Sequence, residues 1–292
     1  MLLVAAALLS AVSAQTISSR IEAVLDHAPG TVSLFAKNLD TGRTYGVRAD
    51  ERVRTASTIK LPIMAALFQE VQRGRVKWTE LLTVGKDDKV SGSGILGEFT
   101  DGLRFPVEDL MHLMIVVSDN TATNVILDRI TAETVNRYMD QLGLKQTRSL
   151  RKVRGDGNQL KAPSGYSEAG KLEENKRFGL GVSTPREMVL LLEMLDKGEV
   201  VSKEASKEMI AVLKRQRYTE GIGRRLGTTP VASKSGALDA LRSDVGIVYH
   251  PKGRVAIAIT VDDMKRIDWS ADNPGHLTIS ELTSILLDEL TR

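Results

Sequence analysis

Residues 57–71, STIKLPIMAALFQEV, begin with a serine and a lysine three positions apart and continue with apolar residues at helical spacing. If Ser57 opens this helix, Lys60 lies one turn away on the same face. A desolvated, partly neutral Lys60 amine can accept the proton of the Ser57 hydroxyl. The unpaired backbone N–H of Ser57 would then lie near the positive end of the helix dipole, where an oxyanion binds. Taken alone, the same residues are more typical of a solvated helix start.

Two further short motifs lie downstream. Ser118-Asp119-Asn120 precedes a predicted helix over residues 121–130, and taken alone its Asp or Asn is simply an N-cap. Lys234-Ser235-Gly236 lies in a predicted strand, where glycine lets a ligand approach the backbone closely. The three motifs become specific together, because their order is S-x-x-K, S-D-N, K-[ST]-G and they fall on a helix start, an interhelical loop and an edge strand.

This combination resembles the class A serine β-lactamases and the related penicillin-recognising serine hydrolases. The resemblance implies that Ser57 is the nucleophile and that Lys60 accepts its proton. Ser118 would pass a proton to the departing lactam nitrogen, and Asn120 would hold the substrate amide. Residues 91–95 would line one wall of the substrate cleft.

The same resemblance assigns the third motif to substrate binding. Lys234 would supply positive potential, and Ser235 would hydrogen-bond the substrate carboxylate beside Gly236. The oxyanion hole would consist of the N–H groups of Ser57 and Ala237. We expect a fixed cation near the carboxylate, with Arg242 as the candidate and Arg224 and Arg225 as alternatives, although each is otherwise an ordinary surface charge.

Hydrolysis of the acyl-enzyme requires an activated water, which the class A enzymes obtain with a glutamate on a surface loop. Counting back from Thr184-Pro185 predicts Glu168 for this role, although Lys171 and Leu172 stand where Leu and Asn are expected. Glu173 and Glu174 offer a competing register. If no glutamate reaches the water, the acyl-enzyme would persist. The protein would then be a penicillin-binding D-Ala-D-Ala carboxypeptidase or related peptidoglycan peptidase, with a non-catalytic sensor as a further alternative.

Strand patterns lie at both ends of the chain. A hairpin is predicted over residues 31–37 and 44–47. Further strands are predicted over 230–238, 244–249 and 254–261, after which a helix is expected near 277–290. Another helix is predicted at about 16–28.

The middle of the chain, from about residue 58 to 214, is mostly helical in pattern. It includes Thr184-Pro185-Arg186-Glu187, a helix start with an N-cap threonine and a glutamate that completes a capping box. The organisation predicts an α/β (α+β sandwich) fold, in which an antiparallel sheet flanked by helices is built from both chain ends. We assign residues 15–56 and 215–292 to this α/β domain and 57–214 to an inserted all-α domain, with the active site at their interface.

Composition excludes several classes of function. The 292 residues carry 40 Lys and Arg against 37 Asp and Glu, so the net charge of +3 does not by itself indicate nucleic acid. Without cysteine there is no disulfide, thiolate nucleophile or Cys-based zinc site. The four histidines lack metal-binding spacing, so neither a metal nor another cofactor is predicted. We expect a monomer whose partner is a small β-lactam or a peptidoglycan peptide.

Residues 2–12 are almost wholly apolar and precede Val12-Ser13-Ala14, a small-residue pattern typical of signal peptidase sites. The run is too short to span a bilayer, which takes about 20 residues. The pattern predicts a signal peptide over residues 1–14 and a periplasmic or secreted protein without a membrane anchor. No Lys or Arg precedes the apolar run, which leaves open a fortuitously apolar start.

Overall fold

The computed structural model describes residues 17–155 and 165–292, so the predicted signal peptide lies outside the described residues. The strands in these ranges are β1 (Thr31–Asn38), β2 (Thr44–Val47), β3 (Val53–Arg54), β4 (Leu81–Val84), β5 (Leu103–Pro106), β6 (Arg148–Ser149), β7 (Gly181–Ser183), β8 (Val231–Leu238), β9 (Leu241–His250) and β10 (Gly253–Asp262). The α-helices are α1 (Ile17–Leu25), α2 (Lys60–Gln72), α3 (Val107–Val116), α4 (Asn120–Ile130), α5 (Ala132–Gln141), α6 (Glu168–Lys171), α7 (Pro185–Lys197), α8 (Lys203–Leu213) and α9 (Pro274–Leu290). Of these helices, none has the length and apolar character needed to cross a membrane.

The main sheet is antiparallel and has the strand order β2-β1-β10-β9-β8. Its centre joins the two ends of the chain, since β1 pairs with β10 from Thr31 opposite Asp262 to Asn38 opposite Val255. The predicted fold class is therefore confirmed, while the domain boundaries stay a prediction. Strand β8, which carries Lys234-Ser235-Gly236, lies at an edge of the sheet, where β9 is its only neighbour among the described strands.

Strand β9 begins earlier than the sequence pattern predicted. It starts at Leu241 because Leu238 pairs with Leu241 across a two-residue connection, Asp239-Ala240. The typical two-residue hairpin signals place Gly or Asn at such a connection. Ala240 lacks that signal, so the sequence pattern did not reveal the turn.

Helices cover both faces of the sheet. On one face, α1 and α9 bury Ile21, Ile279 and Leu282 against the sheet residues Leu34 and Ile257. On the other face, the helices of the middle segment bury a larger cluster, to which the sheet contributes Phe35, Ala232, Val245, Ile247, Ala256 and Ala258. The sheet is thus enclosed between two layers of apolar side chains, an arrangement that holds β8 in a fixed position.

Helix α2 is buried around its whole circumference from Lys60 to Phe68. The sequence spacing predicted one apolar face for this helix. Ile63 and Ala66 lie outside that face and are also fully buried. A helix that is apolar all round belongs in a protein interior. The chain therefore places the lysine of the first motif at the start of its most enclosed helix.

At the start of α7, the threonine half of the predicted capping box is formed and the glutamate half is not. Thr184 Oγ1 accepts a hydrogen bond from Glu187 N at 3.1 Å, and Pro185 occupies the first turn. The Glu187 carboxylate does not complete a capping box. It accepts instead from Gln146 N at 2.9 Å and from Thr147 Oγ1 at 2.7 Å, because these donors from a distant segment lie beside it.

Substitution of Thr184 tests this cap. We expect Thr184→Ala to lower the free energy of unfolding by about 1 kcal/mol, because the Glu187 N–H loses its acceptor. Thr184→Ser keeps the hydroxyl and should retain most of the stability. Urea unfolding of both variants measures the difference. Equal destabilisation by the two substitutions would contradict the capping role.

Candidate active site

Ser57 lies in a 3₁₀ turn, Ala56–Ile59, and α2 begins only at Lys60. Thr55 N donates to Gly181 O at 3.1 Å, which ties the turn to β7. Ala56 has a φ of 46°, in the left-handed region that a residue with a Cβ rarely adopts. Such a conformation costs about 1–3 kcal/mol and persists where the surrounding structure holds it, often at functional sites.

The edge strand β8 lies directly against this turn. A Cβ placed on Gly236 would meet Thr55 O at 2.8 Å, Ser57 N at 2.9 Å and Thr58 N at 3.0 Å. Only glycine therefore allows the strand to approach the backbone of the Ser57 turn this closely. The approach brings the third motif beside the first, which supports the predicted oxyanion hole between Ser57 and Ala237 without testing it.

Lys60 is fully buried, and its ammonium has three hydrogen-bond acceptors. Nζ lies 2.7 Å from Ser118 O, 3.1 Å from Ser118 Oγ and 2.9 Å from Asn120 Oδ1. Three acceptors satisfy the three N–H donors of a charged lysine. The first two motifs therefore meet through Lys60.

Lys234 approaches the same hydroxyl. Its Nζ lies 3.0 Å from Ser118 Oγ and 2.8 Å from Ser235 O, and its side chain is also fully buried. Ser118 itself has a φ of 54°, again in the left-handed region. The Ser118 hydroxyl thus lies between two buried amines, one from each of the other motifs.

Burial makes both amines easier to deprotonate. The pKa of Lys60 is held well below its ordinary value, first by burial and second by the charge of Lys234. Burial also lowers the pKa of Lys234, to about 7, while the carboxyl group of Asp244 opposes this shift. The lowered pKa favours the neutral form of the Lys60 amine, and a neutral amine is what a proton acceptor for Ser57 requires.

Asp119 and Asn120 position the wall of the cleft. Asp119 Oδ1 caps α4 through Ala122 N at 2.8 Å, and Oδ2 accepts from Ile95 N at 2.7 Å and Leu96 N at 2.8 Å. Asn120 Nδ2 donates to Ser91 O at 3.0 Å. The second motif therefore fixes residues 91–96 beside the two lysines.

The three candidate loop glutamates are exposed to solvent. The Glu168 side chain is 78% exposed and its carboxylate pairs with Lys171 at 2.6 Å. Glu173 is 85% exposed and pairs with Lys176, and Glu174 is also exposed. Among the described residues, the hydrogen-bond acceptors of Lys60 include no carboxylate.

Two of the three candidate arginines, Arg242 and Arg224, bind other groups of the protein. Arg242 is buried, and its guanidinium donates to Leu238 O at 2.6 Å, to Leu241 O at 2.7 Å and to Asp268 O. Arg224 donates to Ala271 O at 2.7 Å and pairs with Asp272. These contacts do not support a substrate role for either residue, and the identity of the cation at the carboxylate site stays a prediction.

One acidic residue near the site escaped the sequence reasoning. Asp244 on β9 lies directly opposite Ser235 in the sheet register and is only 1% exposed. The position of Asp244 opposite Ser235 follows from the pairing of β8 with β9. The sequence pattern did not reveal this pairing, because it placed the start of β9 at residue 244 instead of Leu241. Across residues 17–155 and 165–292, no group of three or more His, Asp or Glu side chains has an arrangement that could hold a metal ion.

Comparison with known proteins agrees with this geometry. A model of the β-lactamase enzyme family matches residues 16–290. A β-lactamase of Bacillus licheniformis is 27% identical over 263 residues, which cover 89% of this chain and 79% of that protein. The chain belongs to the β-lactamase enzyme family.

Solved structures of the same fold include two with more than a quarter of their residues identical. A β-lactamase from Sphaerobacter thermophilus superimposes with a TM-score of 0.80 and 28% identity, covering 94% of this chain and 96% of that one. A mutant of PBP-A, solved as its acyl-enzyme complex with penicillin G, gives a TM-score of 0.77 and 26% identity, with coverages of 93% and 94%.

The contact of β8 with the Ser57 turn can be tested at Gly236. We expect Gly236→Ala to slow acylation of Ser57 by about 100-fold or more, because the new methyl group forces the strand and its oxyanion donor away. Gly97→Ala is the matched control, since its Cβ would come no closer than 3.9 Å to Thr121 Oγ1. The rate is measured with a fluorescent penicillin. A Gly236→Ala variant that is acylated as fast as the control would contradict the close approach.

Proposed function

We propose that this protein is a serine β-lactamase that opens the lactam ring through an acyl-enzyme on Ser57. The observation that carries the proposal is the convergence of Lys60 Nζ and Lys234 Nζ on Ser118 Oγ, at 3.1 and 3.0 Å. Membership of the β-lactamase enzyme family supports the same activity.

In the proposed acylation step, the neutral amine of Lys60 takes the proton of Ser57 Oγ as that oxygen bonds to the lactam carbonyl carbon. The carbon–nitrogen bond of the lactam then breaks. Ser118 Oγ, in contact with both lysines, relays a proton to the departing nitrogen. Lys234 stabilises the negative charge of the substrate, and Asn120 holds its amide. No cofactor takes part in these steps.

The second step, hydrolysis of the acyl ester, distinguishes two candidate functions. A lactamase requires a base for the attacking water, and Glu168 remains our proposal for it, with Glu173 and Glu174 as alternatives. The solvent exposure of all three glutamates favours the second candidate, a penicillin-binding D-Ala-D-Ala peptidase with slow deacylation. The lifetime of the acyl-enzyme therefore decides between the two functions.

Mixing the purified protein with a chromogenic cephalosporin measures this lifetime. We expect steady turnover that Ser57→Ala abolishes, while intact-mass spectra of the parent show an adduct that appears and decays. A stable adduct without turnover would overturn the lactamase and favour the peptidase or the sensor. Absence of both turnover and adduct in a folded parent protein would overturn both.

Three single substitutions identify the base. We expect Glu168→Ala to accumulate the acyl-enzyme, because water next to the ester loses its proton acceptor, whereas Glu173→Ala and Glu174→Ala behave like the parent. Time-resolved intact mass gives the deacylation rate of each variant. Accumulation in one of the other two variants would reassign the role, and three unchanged variants would exclude deacylation by these glutamates.

We further propose that the protein is exported and acts as a monomer outside the cytoplasm. The apolar run and Val12-Ser13-Ala14 support a signal peptide over residues 1–14. The substrate would bind between an α/β domain of residues 15–56 and 215–292 and an all-α domain of residues 57–214. Intact mass of the protein from a bacterial host tests export, because cleavage leaves Gln15 as the first residue.

A further inference from the structure

A surface pocket of about 490 Å³ lies between the C-terminal end of α3 and the segment that follows α8. The part contributed by α3 and the residue after it is apolar and includes the half-buried side chains of Leu113, Val116 and Val117. The part contributed by residues 214–217 carries three cations and a glutamine. A concave site that combines apolar side chains with a few polar groups has the general character of a small-molecule site.

The three cations of the pocket, Lys214, Arg215 and Arg217, are exposed and have no carboxylate partner. Within the part of the chain that the structure describes, none of them forms an ion pair, and the lining of the pocket contains neither Asp nor Glu. Lys214 Nζ lies 3.9 Å from the centroid of the Tyr249 ring, a contact that leaves its charge uncompensated. The pocket therefore concentrates positive charge in a protein whose net charge is only +3.

Cations beside helix C-terminal ends ordinarily bind the free carbonyl groups there. In this pocket other donors already satisfy those carbonyls. Val116 O accepts from Arg217 N at 3.1 Å, Ile115 O accepts from Gln216 Nε2 at 3.0 Å, and backbone N–H groups of residues 214–216 close the last turn of α8. Across the described ranges, the side chains of the three cations donate to no helix-end carbonyl. They do not serve as helix caps and are free to bind an anion.

His112 completes the lining of the pocket with an uncharged ring. Burial, and secondly the charge of Arg215, lowers the pKa of His112. Three carboxylates oppose this shift but do not line the pocket, namely Glu108, Asp109 and Glu208. The imidazole is neutral at pH 7, so the positive charge of the pocket comes from its lysine and arginines.

The pocket adjoins the second motif without including the residues that meet at Ser118 Oγ. Leu113 O accepts from Asp119 N at 3.0 Å, and Val117 directly precedes Ser118 in the chain. Neither Lys60 nor Lys234 lines the pocket. It is thus separate from the two buried amines, although it shares a backbone segment with them.

From this arrangement we propose that the pocket is a second binding site, which takes a small organic anion with an apolar portion, such as an aryl sulfonate or an aliphatic carboxylate. The apolar portion packs against Leu113, Val116 and Val117, and the anionic group binds to Arg215 and Arg217. Both parts are needed, because ion pairs at an exposed surface contribute little by themselves, while burial of apolar area adds to the affinity.

The fluorescent probe 1-anilinonaphthalene-8-sulfonate tests the proposal, because it combines aromatic rings with one negative charge. We expect saturable binding to the full-length parent. Arg215→Gln and Arg217→Gln should each raise the dissociation constant about fivefold, the effect of one charge about 4 Å away in water. Arg137→Gln is the matched control, since Arg137 is exposed on α5, outside the pocket lining, and it should bind like the parent. No binding to the folded parent, or equal weakening by all three substitutions, overturns the proposal.

Methyl resonances locate the bound probe. In the full-length protein with ¹³C-labelled Leu and Val methyl groups, we expect the largest ring-current shifts at Leu113, Val116 and Val117, with the dissociation constant that fluorescence gives. The three methyl assignments come from Leu113→Met, Val116→Ile and Val117→Ile. The titration itself uses the parent protein, so it decides the proposal even if the arginine variants do not fold. Largest shifts at methyl groups outside the pocket overturn it.

Two related compounds separate the two parts of the site. Neutral N-phenyl-1-naphthylamine keeps the rings without the charge, and inorganic sulfate keeps the charge without the rings. We expect each to bind at least about fivefold more weakly than the sulfonate probe. Sulfate that binds as tightly as the probe would indicate a site for simple anions, and an equally tight neutral compound would indicate a purely apolar pocket. Either result overturns the proposal, and neither depends on the proposed function, since no β-lactam is used.

Discussion

Two buried lysine amines share one serine hydroxyl, and much of this structure follows from the electrostatic cost of that arrangement. Each amine loses its hydration on burial, and the charge of Lys234 further lowers the pKa of Lys60. Carbonyl and amide oxygens from Ser118, Asn120 and Ser235 replace the lost water. The backbone must present these oxygens correctly, and the left-handed conformation of Ser118 is part of that requirement. The left-handed backbone of Ser118 and the lowered pKa values of the two amines thus both follow from the burial of two amines beside one hydroxyl.

The constraint also explains why the site draws on three separate parts of the fold. A helix start, an interhelical loop and a sheet edge each contribute a polar group, and each is held by a different set of contacts. Gly236 fits β8 to the Ser57 turn, while Asp119 joins the loop to residues 91–96. Because these contacts are made with backbone atoms, the site is preorganised before a ligand arrives. Among residues 17–155 and 165–292, by contrast, no carboxylate accepts a hydrogen bond from either amine.

Sequence reasoning predicted the features that depend on local pattern. Strand alternation at both chain ends and the threonine cap of α7 needed no knowledge of distant contacts, and the order of the three motifs indicated the family. Features that depend on distant partners did not follow from local pattern. Glu187 bonds to residues 146 and 147 rather than to its own helix start. The guanidinium of Arg242 is bound by carbonyls that include Asp268 O. Asp244 becomes relevant only through its cross-strand neighbour.

The pairing of β1 with β10 has a consequence for how the protein reaches its native state. Contacts between residues so far apart in the chain raise the contact order, and closing such a large loop costs entropy before the contacts stabilise the fold. The helical middle segment can form its local contacts earlier, since they span shorter loops. Until the sheet closes, the hairpin of β1 and β2 has an unpaired edge that can associate with other chains. The Ser57 turn gains its partner strand only at that late stage, so catalytic competence should develop together with the last cooperative step of folding.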